Sequence, residues 1–363
     1  MAIVLLIIGL ALLTVGAEVL VRGASGLARA VGLPSLVIGL TVVAFGTSAP
    51  ELAVSLKASV SGQADIALGN VIGSNIFNVL FILGVSALIV PLAASKQLVR
   101  LDVPVMIVTS GVLWLLALDG SIGRAEGVCL FAGVVAYTAL LVYLGRRNGP
   151  QRPKPNDGNI PQAKETKLWI ALLLVLVGLA MLVLGARWLV EGAVDLARML
   201  GVSELMIGLT IVAAGTSMPE VATSVVASLR GERDIAIGNV VGSCIFNILA
   251  VLGLSAAVAP EGVAAAPSAL RFDIPVMAAV AFACLPIFFT GGRISRWEGA
   301  LFLAYYAAYL TVLIMAAIRH ASLATFSHAM LWFAIPLTAL GVAISVLWWV
   351  RKRRGQLPPT PLL

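Results

Sequence analysis

Long runs of apolar residues, separated by short polar stretches, follow one another along almost the whole chain. A helix that crosses a bilayer needs roughly 20 mostly apolar residues. By this measure we predict eleven membrane spans, near residues 2–21, 35–60, 66–91, 102–118, 126–145, 168–190, 204–229, 235–258, 272–290, 297–318 and 328–350. The pattern therefore predicts an all-α polytopic membrane protein.

Two stretches of the chain repeat each other closely. Residues 39–84 and 208–253 align without a gap, and 29 of the 46 aligned positions are identical. Each copy lies within a set of five predicted spans, so the second set enters the membrane from the opposite side. Inverted repeats of this kind are typical of secondary transporters, which bind substrate near the midplane where the halves meet. We predict two inverted five-helix repeats (ten transmembrane helices) plus an additional C-terminal transmembrane helix.

The same pattern divides the chain into four parts. The first five-helix repeat covers residues 1–145, and the second, inverted repeat covers residues 168–318. Residues 146–167 between them are rich in proline and charge, which predicts a solvated cytoplasmic linker. Residues 319–363 hold the extra transmembrane helix and a basic cytoplasmic tail.

Composition and charge agree with this assignment. Charged residues make up 11% of the chain and hydrophobic residues 60%, whereas a soluble domain carries about 25% charged residues. The net charge of +7 comes without aromatic–basic motifs, so we predict no nucleic-acid partner. Placing the N-terminus outside puts 18 of the 24 Lys and Arg residues on the inner face, which predicts a cytoplasmic C-terminus.

The first polar motif of the repeat reads GTSAPE at residues 46–51 and GTSMPE at residues 215–220. Its glycine and proline weaken the helix and free backbone carbonyls, which persist in a membrane only where protein or a cavity satisfies them. Each copy also carries hydroxyl groups and one carboxylate, and an intramembrane carboxylate marks an ion or proton pathway. The candidate ion ligands in this motif and just before it are Ala44, Thr47, Ser48, Glu51, Ala213, Thr216, Ser217 and Glu220.

The second polar motif reads GNVIGSNIFN at residues 69–78 and GNVVGSCIFN at residues 238–247. The serine and the last asparagine of each copy are four residues apart, so they share one helical face. This adds Ser74, Asn78, Ser243 and Asn247 to the candidate ligands. The first asparagines, Asn70 and Asn239, are candidates for either ion ligation or helix-to-helix hydrogen bonding.

These candidates are all hard oxygen donors, which suit Ca²⁺ or Na⁺ better than a transition metal. Two carboxylates balance one Ca²⁺, two Na⁺ or two protons, so the residues alone leave the coupling ion open. No HExxH or GxGD motif of an intramembrane hydrolase and no TVGYG-like channel filter occurs in the sequence. We therefore predict a cation exchanger that is not an enzyme, with no cofactor and no obligatory protein partner.

With its two copies of GTSxPE followed by GNxxGSxIFN, the sequence resembles the cation/Ca²⁺ exchanger superfamily, in particular the prokaryotic sodium/calcium exchangers. The resemblance implies ten helices in two inverted halves and exchange of Ca²⁺ for Na⁺ by alternating access, with the first and sixth helices sliding past a fixed core. It also implies a prokaryotic inner-membrane location. A Ca²⁺/H⁺ antiporter using the same glutamates is the alternative.

The resemblance also implies roles for individual residues. Glu51 and Glu220 match the central Ca²⁺-binding glutamates, and Asn78 matches an asparagine of the first repeat. Asn247 departs from the family pattern, because some members carry aspartate there. The residues that match the lining of the Na⁺ sites are Thr47, Ser48, Thr216, Ser217, Ser74, Ser243 and the carbonyls of Ala44 and Ala213.

Overall fold

A computed structural model of the chain describes residues 1–148, 167–202, 204–207, 210–211, 213–289 and 292–339. Most of the predicted linker, residues 149–166, therefore lies outside the described residues. The same holds for residues 340–363, which include the second half of the predicted eleventh span and the basic tail.

The described chain is built of apolar helices in the order that the sequence pattern predicts. Eight helices are long and apolar enough to cross a membrane, and one bent helix pair makes a ninth candidate. The helices are α1 Ala2–Val31, α2 Ser35–Thr47, α3 Ala49–Val60, α4 Ile66–Ile89, α5 Leu98–Asp119, α6 Arg124–Arg147, α7 Leu168–Met199, α8 Met218–Leu229, α9 Arg233–Val258, α10 Ala269–Ile287, α11 Arg296–Ala317 and α12 Leu323–Ala339.

The bent pair is α2 and α3, whose axes meet at 46°. It corresponds to the single predicted span 35–60. The predicted span 204–229 is described in pieces: short helices Glu204–Ile207 and Ala213–Gly215, then α8. Both predicted spans are therefore interrupted close to the GTSxPE motifs, where glycine and proline oppose a continuous helix.

Helices α1 and α7 are longer than predicted, since they extend about ten residues beyond 2–21 and 168–190. One ion pair within each helix spans the end of the predicted segment. Glu18 accepts a hydrogen bond from Arg22 at 2.5 Å, and Glu191 accepts one from Arg187 at 2.8 Å. Charges four residues apart on a helix stabilise it, so they do not end it.

Helices α1 and α7 pack against each other in antiparallel directions through glycines. A Cβ atom added at Gly178 would lie 2.6 Å from the amide nitrogen of Leu20, and one added at Gly185 would lie 2.8 Å from that of Leu13. A Cβ at Gly192 would lie 2.7 Å from the carbonyl oxygen of Ala2. Glycine lets two backbones approach this closely, as in other small-residue interfaces between membrane helices.

Helices α4 and α9 form the centre of the bundle. Every residue of the most apolar 18-residue stretch of α9 is buried inside the protein. In the corresponding stretch of α4 72% of the residues are buried, and in that of α11 only 6% are. In α9, Gly238 and Gly242 lie directly against the backbone of α2 at Leu36 and Leu40. The polar motifs of α4 and α9 therefore lie inside the protein, while the peripheral helices present apolar side chains outward.

Two short antiparallel strand pairs join the halves. Strand β1 (Leu92–Ala93) pairs with β4 (Arg293–Ile294), and β2 (Ser121–Ile122) pairs with β3 (Val263–Ala264). Each pair links a loop of the first half to a loop of the second, so the pairs fix the central helices of the two halves relative to each other.

Matching π-helical turns occur at equivalent places in the two halves. They cover Asn78–Ile82 in α4 and Asn247–Leu252 in α9, and also Leu98–Asp102 in α5 and Ala269–Asp273 in α10. π turns inside α-helices occur frequently at functional sites. Two of these four turns begin at the candidate ligands Asn78 and Asn247.

Candidate functional site

The two glutamates of the GTSxPE motifs lie at equivalent helix starts. Ser48 (φ −80°, ψ 8°) and Ser217 (φ −89°, ψ 10°) interrupt the helix in nearly the same conformation. The following proline occupies the first turn of α3 or α8, where a backbone amide has no intrahelical partner and its loss does no harm. Glu51 and Glu220 are therefore both held in the first turn of a new helix, where the helix dipole favours negative charge.

The serines and glutamates of the two motifs are paired across the halves. The Ser217 hydroxyl donates a hydrogen bond to Glu51 Oε1 at 2.8 Å, and the Ser48 hydroxyl donates one to Glu220 Oε1 at 3.0 Å. Both carboxylates are fully buried, with no exposed surface, and they interact electrostatically with each other. The crossed pairs make a single cluster to which each half contributes one carboxylate.

The threonines of the motifs lie beside the same carboxylates. Thr216 neighbours Glu51, and Thr47 neighbours Glu220. The Thr47 hydroxyl also lies 3.0 Å from Asn239 Oδ1 and 3.1 Å from the carbonyl oxygen of Val43. Both predicted threonine ligands, Thr47 and Thr216, are therefore brought into the cluster.

Asn70 and Asn239 make equivalent hydrogen bonds between helices. Asn70 Nδ2 donates to Ser55 Oγ at 2.9 Å and to the carbonyl oxygen of Glu51 at 3.2 Å. Asn239 Nδ2 donates to Ser224 Oγ at 2.9 Å and to the carbonyl oxygen of Glu220 at 3.4 Å. Of the two alternatives for these asparagines, the structure shows helix-to-helix hydrogen bonding, which fixes the backbone that carries each glutamate.

The second motif contributes further buried oxygens. Ser74 Oγ lies 3.3 Å from Ser217 Oγ, so α4 reaches the cluster directly. Several fully or almost fully buried oxygens have no hydrogen-bond partner within the described part of the chain. They are Glu51 Oε2, Glu220 Oε2, Asn78 Oδ1, Asn247 Oδ1 and Ser243 Oγ.

The two predicted carbonyl ligands lie just before the helix breaks. The carbonyl oxygen of Ala44 accepts a hydrogen bond from the Ser48 amide at 3.1 Å and a longer one from the Thr47 hydroxyl at 3.4 Å. Ala213 begins the short helix Ala213–Gly215, at the place equivalent to Ala44.

The cluster holds two carboxylates without a basic partner among the described residues. The ion pairs of the described residues lie away from the cluster. They join Glu18 to Arg22 and Arg230, and Glu191 to Arg187, and all of these side chains are partly exposed. A buried carboxylate is costly unless a cation or strong hydrogen bonds compensate its charge. Two such groups among neutral oxygens therefore form a chemically suitable site for a hard cation.

The sequence patterns missed several buried polar residues. Ser55 and Ser224 are identical at aligned positions of the repeat, and this identity could have revealed them. Two further polar residues are the buried Asp102 and the half-buried Asp273. Each lies at the last residue of a π turn within a continuous helix, where it accepts a hydrogen bond from a tyrosine: Tyr137 at 2.9 Å and Tyr309 at 3.0 Å.

Comparison with known proteins extends these findings. The family model described as "Sodium/calcium exchanger protein" matches residues 1–143 and 170–315. The chain is 40% identical over 311 residues to the "Putative antiporter CaxA" of Alkalimonas amylolytica, covering 85% of this chain and 97% of that protein. It is 33% identical over 342 residues to the "Sodium/calcium exchanger MaX1" of Methanosarcina acetivorans, again with coverage of 85% and 97%.

A solved structure shares the fold. The sodium/calcium exchanger from Methanococcus jannaschii superposes with a TM-score of 0.73 at 30% sequence identity, covering 85% of this chain and 97% of that one. The match confirms the predicted all-α polytopic membrane fold. The family resemblance predicted from the repeated motifs is also confirmed. The chain belongs to the sodium/calcium exchanger protein family and is an integral membrane ion antiporter of that type.

Proposed function

We propose that this protein exchanges Ca²⁺ for Na⁺ across the membrane by alternating access, at a cation site built around Glu51 and Glu220. The observation that carries the proposal is the crossed pairing of Ser48 with Glu220 and of Ser217 with Glu51. It joins two buried carboxylates, one from each half, in a cluster where no basic side chain of the described residues pairs with them.

The ligand chemistry supports Ca²⁺ and Na⁺ as the exchanged ions. The unpartnered oxygens of the cluster come from carboxylates, amides and a hydroxyl, and Ca²⁺ takes six to eight such oxygens. Two carboxylates neutralise one Ca²⁺ or two Na⁺, so binding of one kind of ion excludes the other. Relatives named sodium/calcium exchanger at more than 30% identity over most of the chain support the same pair.

The remaining predicted ligands complete this proposed site. The carboxylates bind Ca²⁺ directly, and the asparagines supply neutral oxygens. The groups that line the positions for Na⁺ are Thr47, Ser48, Ser74, Thr216, Ser217, Ser243 and the carbonyls of Ala44 and Ala213. Exchange at this site needs no cofactor. It requires only the transported ions and a lipid bilayer that separates them.

For the architecture we propose two inverted five-helix halves, residues 1–145 and 168–318, with an additional C-terminal helix. The antiparallel packing of α1 on α7 supports the inversion, because these helices occupy equivalent places in the repeat. Their contact runs through glycines and the two helices lie at the edge of the bundle, which suits sliding against the central helices α4 and α9.

We further propose that the protein lies in a prokaryotic inner membrane with its N-terminus outside and its C-terminus in the cytoplasm. The distribution of Lys and Arg supports this orientation, since residues 146–167 and 351–354 are strongly basic.

A Ca²⁺/H⁺ antiporter is the second candidate. Asn247 supplies an amide and no third carboxylate, and each glutamate keeps one carboxylate oxygen without a described partner. Such a pair could carry two protons in place of two Na⁺.

The deciding experiment is ⁴⁵Ca²⁺ uptake into proteoliposomes loaded with Na⁺, compared with proteoliposomes that carry only an outward proton gradient. We expect rapid uptake with the Na⁺ gradient and background uptake with the proton gradient. Uptake that follows the proton gradient and ignores Na⁺ would establish the second candidate in place of the first.

A further inference from the structure

Asn75 lies next to the proposed site and touches both halves of the molecule. Its side chain is buried at 3% exposure and belongs to α4, directly after Ser74. Asn75 Nδ2 donates a hydrogen bond to the carbonyl oxygen of Cys244 in α9 at 3.2 Å and lies 3.7 Å from Met277 Sδ in α10. Asn75 Oδ1 accepts a hydrogen bond from Asn247 Nδ2 at 3.1 Å.

These bonds fix which end of the Asn247 amide faces Asn75. If the Asn247 amide turned over, its oxygen would face the oxygen of Asn75, and two acceptors would meet without a proton between them. Asn75 cannot turn over to compensate, because its own Nδ2 serves the Cys244 carbonyl. The Asn247 oxygen is consequently held at the end away from Asn75, where it is buried and has no described partner.

The two halves differ at this point. The position equivalent to Asn75 in the second repeat is Cys244, and a thiol is a weak hydrogen-bonding group. Asn78, the counterpart of Asn247, lies beside the Cys244 thiol and makes no stronger hydrogen bond through its amide atoms in the described part of the chain. The structure therefore holds the Asn247 amide in one orientation through an amide–amide hydrogen bond, whereas Asn78 has only the weaker thiol beside it.

We propose that Asn75 is a positioning residue that presents the oxygen of Asn247 to the bound cation. A carboxylate at position 247 would face the Asn75 oxygen across the contact that the Asn247 amide now makes. This inference rests on the proposed function, because it requires a cation at those glutamates.

The test is a double-mutant cycle read by Ca²⁺ binding, with transport measured in parallel. Purified wild type, Asn75→Leu, Asn247→Leu and the double variant are titrated with Ca²⁺, and the rise in unfolding temperature gives the half-saturating concentration. Met277→Leu is the matched control, because it removes another contact of Asn75 and leaves the bond to Asn247.

We expect Asn75→Leu to raise the half-saturating Ca²⁺ concentration by about three- to tenfold, the range of one hydrogen bond. In the Asn247→Leu background the same change is expected to have no further effect, and Met277→Leu should bind as wild type. If the half-saturating Ca²⁺ concentration of the double variant rises by the product of the two single effects, Asn75 acts independently of Asn247. This result would overturn the proposal. An unchanged Ca²⁺ titration of Asn75→Leu would overturn it as well.

Asn75→Asp provides a second test that does not depend on how well the leucine variant folds. Aspartic acid has the same shape and, in its buried protonated form, donates its hydroxyl to the Cys244 carbonyl while its other oxygen accepts the Asn247 amide, so we expect Ca²⁺ binding no weaker than in wild type. Binding weakened tenfold or more in Asn75→Asp would contradict the positioning role. If the wild type itself neither binds Ca²⁺ nor transports it, the proposed function fails, and the inference fails with it.

Discussion

Each of the two buried glutamates receives a hydrogen bond from the serine of the opposite half, so neither half can form the cluster alone. A carboxylate in the interior of a membrane protein needs compensation, and one hydroxyl supplies only part of it. The structure provides no basic partner among its described residues, which leaves a bound metal cation or protons on the carboxylates to balance the two charges.

The first prediction concerns the two carboxylates. Glu51→Gln and Glu220→Gln each keep the shape of the side chain and remove one of two charges that face a divalent ion. Losing one partner of a buried charge pair costs about 2–5 kcal/mol, so we expect initial ⁴⁵Ca²⁺ uptake to fall by at least about thirtyfold in either variant. Both variants should remain folded by size-exclusion chromatography, and full transport by either one would refute the site.

The second prediction concerns the crossed serines. In the ion-free protein, Ser48→Ala or Ser217→Ala deprives a buried carboxylate of its hydrogen bond, which is worth about 1.5–3 kcal/mol for a charged acceptor. We expect both variants to unfold at lower temperature than wild type in the absence of Ca²⁺ and Na⁺. Ser86→Ala is the control, since Ser86 is buried in α4 without a described partner and should unfold as wild type.

At the residue scale the repeated motifs predicted residues that the structure brings together, since the two glutamates lie with serines and threonines of both motifs. Polar residues that recur inside apolar spans need partners, and this identified Glu51, Glu220 and the surrounding serines and asparagines. The crossing of serine and glutamate between halves could not be predicted, because it depends on how two helix breaks meet in space. Asn75 was missed because Cys244 occupies its place in the second repeat and removes the signal.

At the scale of elements, the contact of α1 with α7 is set by glycines spaced seven residues apart. Gly178, Gly185 and Gly192 on α7 face Leu20, Leu13 and the backbone of α1 near Ala2. The apolar pattern predicted both helices but ended them about ten residues too early, because each helix continues beyond its apolar run through a segment that carries charged residues. The structure shows that these charges pair along the helix surface.

The third prediction tests this contact. A side chain at Gly178 would meet the backbone of Leu20 at 2.6 Å, and backbone atoms cannot move aside as a flexible side chain can. Overpacking of this kind destabilises by about 1–3 kcal/mol or more, so we expect Gly178→Leu to lower the unfolding temperature and to abolish ⁴⁵Ca²⁺ uptake. A variant with wild-type stability and transport would show that the close contact is dispensable.

Gly111→Ala serves as the matched control for the glycine substitution. Gly111 lies inside the helical part of α5, and no described atom lies within 4 Å of an added Cβ. Because alanine is the better helix former, we expect unchanged or slightly increased stability and normal transport.

At the scale of the whole molecule, the proposed inverted repeat gives the two faces of the membrane similar structures, and the proposed orientation puts most of the Lys and Arg residues on one of them. The fourth prediction follows from the excess of Lys and Arg on one face. Green fluorescent protein fused to the C-terminus should be fluorescent, and alkaline phosphatase fused at the same place should be inactive, as expected for a cytoplasmic end. Active phosphatase at the C-terminus would contradict the proposed orientation.

The measurement that tests the central claim most directly is the location of a bound divalent cation by anomalous diffraction from crystals soaked in Sr²⁺, a heavier substitute for Ca²⁺. We expect one strong peak between the carboxylates of Glu51 and Glu220, within about 2.3–2.7 Å of oxygens from both halves of the chain, slightly longer than Ca²⁺–oxygen distances. A peak bound by residues of one half only, or no peak at these glutamates, would contradict a transport site shared between the two repeats.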